Sequence, residues 1–166
     1  MAERTYTLKE AVWALWWTGD RDDPPRLARQ VRHWTNLGLL SPVGKRHTGT
    51  GIRRQYSANE VRKAAILVEL ENYRVPMPIL ERGFATFSEE WIQSPDWSRA
   101  VTRAAPVFLH VTHARLVGGQ GIAGFELTSN AVPVMLAPPK GMRDEPALPA
   151  SAIVVNVTRV FARMKL

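Results

Sequence analysis

The sequence predicts an α+β protein in which helices come first and strands come last. Apolar residues recur at helical spacing through about the first hundred positions, and proline, glycine and capping residues divide them into separate helices. The last third is instead rich in β-branched residues and is interrupted by glycines, which is typical of short strands. Helices followed by strands, without regular alternation, indicate an α+β arrangement.

Composition limits the possible classes of protein. The chain has 166 residues, enough for one domain or two small ones, and it contains no cysteine. Disulfide scaffolds, thiolate metal sites and cysteine nucleophiles are therefore excluded. No run of about 18 apolar residues is present, so no membrane span is expected. The start MAERTYTLKE lacks the apolar region of a signal peptide, and we expect a cytoplasmic, nucleoid-associated protein.

Positive charge is concentrated in the first third of the chain. The formal net charge is +7, and residues 24–63 contain nine lysines or arginines but a single acid, Glu60. From residue 104 to the end there are six basic and three acidic residues. Such a local excess predicts a polyanionic partner. The nine basic residues are Arg26, Arg29, Arg32, Lys45, Arg46, Arg53, Arg54, Arg62 and Lys63.

Two helices are predicted before residue 40. The first covers 7–17, because Thr7 and Glu10 form a Thr-x-x-Glu capping box ahead of apolar residues at helical spacing. The second begins after Asp23, an N-cap candidate followed by two prolines, and ends at Gly38.

The second helix is predicted to be amphipathic, with one apolar and one polar face. At about 100° per residue, Leu27, Val31 and Trp34 share a narrow apolar stripe. The opposite face carries polar and cationic side chains, with Arg32 and Asn36 beside them. These outward residues are Arg26, Arg29, Gln30 and His33. Leu37, Leu39 and Leu40 are expected to fix the end of the helix to the same core.

Residues 41–57 predict a two-stranded β-ribbon with basic arms. Gly49 and Gly51 provide the positive φ of a hairpin turn, and Ile52 and Tyr56 favour strands. The arms carry Lys45, Arg46, Arg53 and Arg54. A second capping box, Ser57 with Glu60, then opens a helix that reaches about Tyr73.

A helix from Pro78 to about Gln93 carries an aromatic stripe with 4-3-4 spacing, formed by Leu80, Phe84, Phe87 and Trp91. Such spacing resembles a short coiled-coil seam, which favours pairing with a second copy of the chain. The alternative is that the stripe packs on the C-terminal half of its own chain. Residues 94–97 are expected to start a further short helix.

The residues from 106 to 166 predict a small β-rich unit. Residues 106–139 read as about three short strands, and residues 137–151 as a proline-rich loop. Residues 153–157 suit a strand that closes in a short helix, while a fully helical alternative also fits the spacing of the apolar residues.

The order of these elements, together with four local motifs, resembles the winged helix-turn-helix domain of MerR-type transcription regulators. The resemblance extends over residues 6–87 and is carried by YTLKEA, VRHWTNLGLLSP, GTGIRRQYS and SANEVRKAAILVELENYRVPMPIL. It implies that Arg32 meets the DNA backbone, that the wing around Arg53 and Tyr56 contacts DNA, and that the 78–93 helix pairs with its copy in a homodimer. The interval before Arg32 is longer than in that family, and the cysteines of its metal-sensing members are absent.

The sequence therefore predicts a sequence-specific regulator that binds double-stranded DNA. We expect Arg26, Arg29, Gln30 and His33 to face bases, and Arg32, Lys45, Arg46, Arg53 and Arg54 to meet phosphates or groove edges, with Tyr56 in the wing. The expected divisions are a DNA-binding domain at 1–76, a helical dimerisation region at 77–105 and a small α+β module at 106–166. RNA polymerase or another protein is a further candidate partner. The alternatives are an architectural or accessory DNA protein, of the excisionase or partition type, and a DNA-tethered protein-interaction module.

Other apparent sites do not predict chemistry. Residues 119–124 match GxGxxG, but the residues that follow favour a strand rather than the helix that a dinucleotide site requires. His110 and His113 would point to opposite faces of a strand, which argues against a shared metal. No nucleophile elbow or spaced carboxylate pair is present. We therefore expect no enzyme activity and no metal or other cofactor.

Overall fold

The computed structural model describes residues 4–16, 23–44, 53–115, 121–129, 151–164 and 166. The described chain is a mixed α+β fold, as predicted, with a two-stranded sheet near the N-terminus and a three-stranded antiparallel sheet near the C-terminus. Its buried apolar residues form one continuous cluster. The three segments expected at 1–76, 77–105 and 106–166 thus share a core.

The fold begins with strand β1 (Thr5–Thr7) and helix α1 (Leu8–Leu15). Thr7 caps α1, and the predicted capping box with Glu10 is present. Strand β1 pairs antiparallel with β2 (Gln55–Ser57), with Tyr6 opposite Tyr56. The sequence did not predict β1, because three residues are too short to show the alternation of a strand.

Helix α2 (Pro24–Leu37) matches the predicted second helix. Asp23 occupies the N-cap position without a side-chain cap bond, and Gly38 ends the helix in the left-handed conformation with φ 83°. The predicted stripe of Leu27, Val31 and Trp34 is buried, as are Leu39 and Leu40. Leu37 does not help to fix the helix end, because its side chain is 37% exposed.

Helix α3 (Ala58–Asn72) lies at the centre of the fold and contacts α1, β1 and β2, and also the C-terminal elements β5 (Ser151–Asn156) and α7 (Val157–Arg163). Because so many elements surround it, even its charged residues Glu60 and Lys63 are buried. The buried apolar residues of α3 include Val61, Ala64, Ala65, Val68 and Leu70.

The next helical stretch contains a wider turn. It consists of α4 (Met77–Ile79), a π-helical segment (Leu80–Phe84) and α5 (Ala85–Gln93), followed by α6 (Pro95–Thr102). The ring of Phe125 lies directly over Gly83, so a Cβ at that position would overlap the ring. Glycine therefore permits the close approach of the C-terminal sheet to this helix.

The C-terminal sheet has β3 (Phe108–Arg115) at its centre, between β4 (Gly121–Thr128) and β5 (Ser151–Asn156), all antiparallel. Strand β5 is followed directly by α7 (Val157–Arg163), so the last segment is a strand followed by a helix rather than a single helix. Register places Leu109 opposite both Leu127 and Val155. The buried side chains of Leu109 and Val155 contribute to the core.

The aromatic stripe belongs to the interior of its own chain. Leu80, Phe84 and Trp91 are buried, and half-buried Phe87 stacks on Phe125 of β4 with ring centroids 6.5 Å apart. Trp91 also contacts Phe125, at 6.3 Å, and Phe84, at 5.4 Å. This packing is the alternative stated above and not the expected interface with a second copy, since Leu80, Phe84 and Trp91 are enclosed by their own chain and Phe87 is partly covered.

Candidate nucleic-acid interface

The outward side of α2 carries a row of polar and cationic side chains. Arg26, Arg29, His33 and Asn36 follow one another at intervals of three, four and three residues, and all four are exposed. At about 100° per residue these intervals keep them on one face, opposite the buried Leu27–Val31–Trp34 stripe. Because the buried stripe holds the helix against the core, the row is presented on a rigid element. We refer to these four residues as the α2 row.

Two predicted residues flank the α2 row in different ways. Arg32 is exposed on one side of it. Gln30, on the other side, is half-buried, and its Nε2 donates a hydrogen bond to Glu71 on α3. Gln30 was expected to face bases, but in this structure its amide is engaged with α3, and the Glu71 carboxylate borders the basic face.

The predicted ribbon is described only at its base. Lys45 and Arg46, and the turn glycines Gly49 and Gly51, lie outside the described residues. The two legs meet where the Val43 N–H donates to the Gln55 carbonyl at 2.7 Å, as the legs of a hairpin would. Arg53 is exposed, whereas Arg54 is half-buried and donates from Nη2 to Oδ1 of Asn36 at 3.2 Å. The base of the ribbon is thus joined to the end of the α2 row.

Tyr56 was expected among the DNA contacts, and the structure corrects this expectation. Its side chain is 1% exposed, and its hydroxyl lies 3.0 Å from that of Thr35 on α2. The Thr35 hydroxyl donates to the Val31 carbonyl at 2.7 Å, so Tyr56 is the donor in the bond between the two hydroxyls. Tyr56 fixes β2 to α2 from inside the core, where DNA cannot reach it.

The basic excess in residues 24–63 is smaller at the surface than in the sequence. Lys63 is only 2% exposed, and its Nζ lies 2.7 Å from Glu60 Oε1 and 2.8 Å from Glu89 Oε1. Glu60 also accepts from the Ser41 N–H at 2.6 Å. Burial raises the pKa of Glu60 above its usual range, while Lys63 and the Ser41 N–H oppose that rise. This buried pair is part of the core and not of the basic surface.

Asn36 is a residue that the sequence placed only at the side of the helix. The sequence signal for Asn36 is its spacing from the other residues of the α2 row, since it follows His33 by three residues and Arg29 by seven. Its contact with Arg54 could not be inferred from spacing, because it depends on how the ribbon packs against α2.

The described residues assemble no recognisable catalytic arrangement. No three His, Asp or Glu side chains in the described ranges converge as metal ligands. Part of the GxGxxG match lies in strand β4, not ahead of a helix. His110 is buried on β3, and neither ring nitrogen has a hydrogen-bond partner among the described residues, while the side chain of His113 lies outside the description. Of the described helices, none combines the length and apolar character needed to cross a membrane.

Comparison with known proteins gives no family for this chain. No protein-family model matches it, and no curated protein aligns with it at a significant level. The geometry of the α2 row and the ribbon base is therefore the basis for a functional proposal.

Proposed function

We propose that the protein binds double-stranded DNA in a sequence-specific way, as a winged helix-turn-helix regulator of the MerR type, with α2 as the reading helix. The observation that carries the proposal is the α2 row: four exposed groups able to donate hydrogen bonds, aligned on one face of a helix whose other face is buried. The major groove of B-DNA admits an α-helix, and arginine pairs with guanine O6 and N7 through two hydrogen bonds.

The ribbon base supports the same orientation. Arg53 is exposed next to β2, and β2 is fixed to α2 through the buried Tyr56–Thr35 bond. An arginine held at a constant distance from a reading helix is suited to a phosphate beside the groove. Arg29 is thus assigned to bases and Arg53 to the backbone.

The proposal is tested by selecting preferred sites from random duplex DNA with the full chain, and then measuring affinities of variants at several salt concentrations. Arg29→Ala is expected to lower affinity for the selected site by about 1–3 kcal/mol and to relax base preference. Arg53→Ala is expected to weaken binding to all sequences equally and to reduce the salt dependence by about one phosphate contact.

Arg99→Ala is the matched control, since it also removes one positive charge. Arg99 is exposed on α6, which packs on α5 and α7, and its guanidinium lies 3.0 Å from Asp96. This variant should bind the selected site almost as the parent does. If Arg29→Ala and Arg99→Ala have equal effects, binding depends on net charge and the assignment of α2 to the groove is wrong.

A further inference from the structure

The end of the α2 row is connected to the ribbon base by two adjacent contacts. Thr35 is bonded to Tyr56 in the core, and the next residue, Asn36, accepts from Arg54 at the surface. Tyr56 lies in β2, two residues after Arg54, so the Tyr56–Thr35 bond and the Arg54–Asn36 bond join the same two short segments of chain. The buried contact therefore fixes the position from which Arg54 reaches Asn36.

This contact orients the Asn36 amide. Because a guanidinium can only donate, Arg54 selects the oxygen of the amide, and the nitrogen must occupy the other position. The bond uses one lone pair of Oδ1. A second lone pair and both Nδ2 hydrogens are not used by it, which leaves one acceptor and one donor side by side on an exposed side chain.

An adjacent acceptor and donor are complementary to the major-groove edge of adenine. Adenine presents N7 as an acceptor and its N6 amino group as a donor, and asparagine can pair with both. No other single base presents an acceptor beside a donor on its major-groove edge. An amide held in one orientation also loses less conformational freedom on binding than a freely rotating one.

We propose that Asn36 reads an adenine at one edge of the DNA site, and that Arg54 is a positioning residue that holds the Asn36 amide for this purpose. The proposal rests on the proposed function, because it requires α2 to lie in the major groove. It assigns to Asn36 a base-reading role that the sequence motifs do not give it, and to Arg54 a role in specificity rather than in backbone contact.

The test uses the full chain and the site it selects from random duplex DNA. Each adenine of that site is replaced in turn by 7-deazaadenine, which lacks the N7 acceptor. At one adenine the parent should lose affinity by up to about 150-fold, the upper limit for a complete bidentate base contact, because the modified base lacks one of its two hydrogen bonds. Asn36→Ala should bind the unmodified site more weakly by a similar factor and should show no further loss with the modified base. Asn36 is exposed, so the Asn36→Ala variant is expected to have the melting temperature of the parent.

Arg54→Ala separates positioning from reading. It should reduce the preference for adenine over 7-deazaadenine at the same position. Adding Arg54→Ala to Asn36→Ala should cause no further reduction in this preference. If Asn36→Ala keeps the base preference of the parent at every position, the inference is overturned. It is also overturned if both variants weaken all sequences by one common factor, because Asn36 would then serve only to hold Arg54 against the backbone. If the parent itself selects no sequence, the proposed function fails first.

Discussion

Helices α1 and α3 begin with the same signal, a hydroxyl residue followed three positions later by glutamate, yet the two glutamates end in opposite environments. At α1 the Glu10 carboxylate turns back to Thr7, accepting from its N–H at 2.7 Å and from its hydroxyl at 2.8 Å. At α3 the Ser57 hydroxyl accepts from the Glu60 N–H at 3.2 Å, and the described contacts include no return bond from Ser57 to the Glu60 carboxylate. The Glu60 carboxylate instead binds Lys63 and the Ser41 N–H.

The difference follows from where each helix lies. The Glu10 side chain is exposed, so its best partners are the groups of its own cap. Helix α3 is surrounded by other elements, and a carboxylate in its first turn is close to the chain that follows α2, where the Ser41 N–H needs an acceptor. The capping signal therefore specifies where a helix begins, while packing decides what the glutamate contacts.

The largest expected effect comes from removing the partner of the buried glutamate. Lys63→Ala leaves Glu60, which is 7% exposed, without its counter-ion, and we expect a loss of about 3–5 kcal/mol in the free energy of unfolding. Urea denaturation followed by circular dichroism measures this loss. Adding Glu60→Gln to Lys63→Ala should recover part of it, because a neutral amide can still accept from Ser41.

The control for this prediction removes the exposed partner of Lys63. The Glu89 side chain is 67% exposed, so Glu89→Ala should cost no more than about 1 kcal/mol. A loss below about 1 kcal/mol for Lys63→Ala as well would contradict the view that the α3 pair differs from a surface ion pair.

A smaller effect is expected at the two cap hydroxyls. Thr7→Ala and Ser57→Ala should each lower stability by about 0.5–2 kcal/mol, the usual contribution of an N-cap. Thr7→Ala should cost more, because the Thr7 hydroxyl both accepts from the Glu10 N–H and donates to its carboxylate. Thr7→Ser and Ser57→Thr keep the oxygen and should stay near the parent. Equal denaturation midpoints for the parent and either alanine variant would show that the corresponding cap is not used.

The sequence predicted the helices of this fold better than it predicted the packing contacts between them. The limits of α2 follow from Pro24, Pro25 and Gly38, and its buried face follows from spacing alone. Those signals are local, so they do not depend on the rest of the chain. The same holds for the exposed arginines of the α2 row, which lie opposite the apolar stripe on any straight helix.

Contacts between distant segments were not predictable in this way. The aromatic stripe showed that Phe84 and Trp91 share a face, but not that Phe125, on a distant strand, would cover it. Lys63 and Tyr56 are of residue types that commonly contact DNA, and both are nevertheless buried. In each case the deciding factor is packing between elements, on which the spacing of residues carries no information.

The smallest expected effect, and the one that compares the two glutamates most directly, is the dependence of stability on pH. Burial raises the pKa of Glu60, whereas hydrogen bonds from the Thr7 N–H and hydroxyl lower the pKa of Glu10. A raised pKa means that the folded state keeps a proton that the unfolded state has lost. The Glu60 contribution therefore makes stability fall as the pH rises from the ordinary glutamate value through the raised pKa.

For Glu10 the sign is opposite, because its folded-state pKa is below the ordinary value. Its contribution is present above that value and is lost as the pH falls through the lowered pKa. Glu60→Gln should thus flatten the pH dependence above the ordinary glutamate value, and Glu10→Gln should flatten it below. Urea denaturation of the parent and both variants across this range gives the two differences. If both variants change the pH dependence of stability on the same side of the ordinary glutamate pKa, the two carboxyls lie in similar environments. That outcome would contradict the different contacts of Glu10 and Glu60.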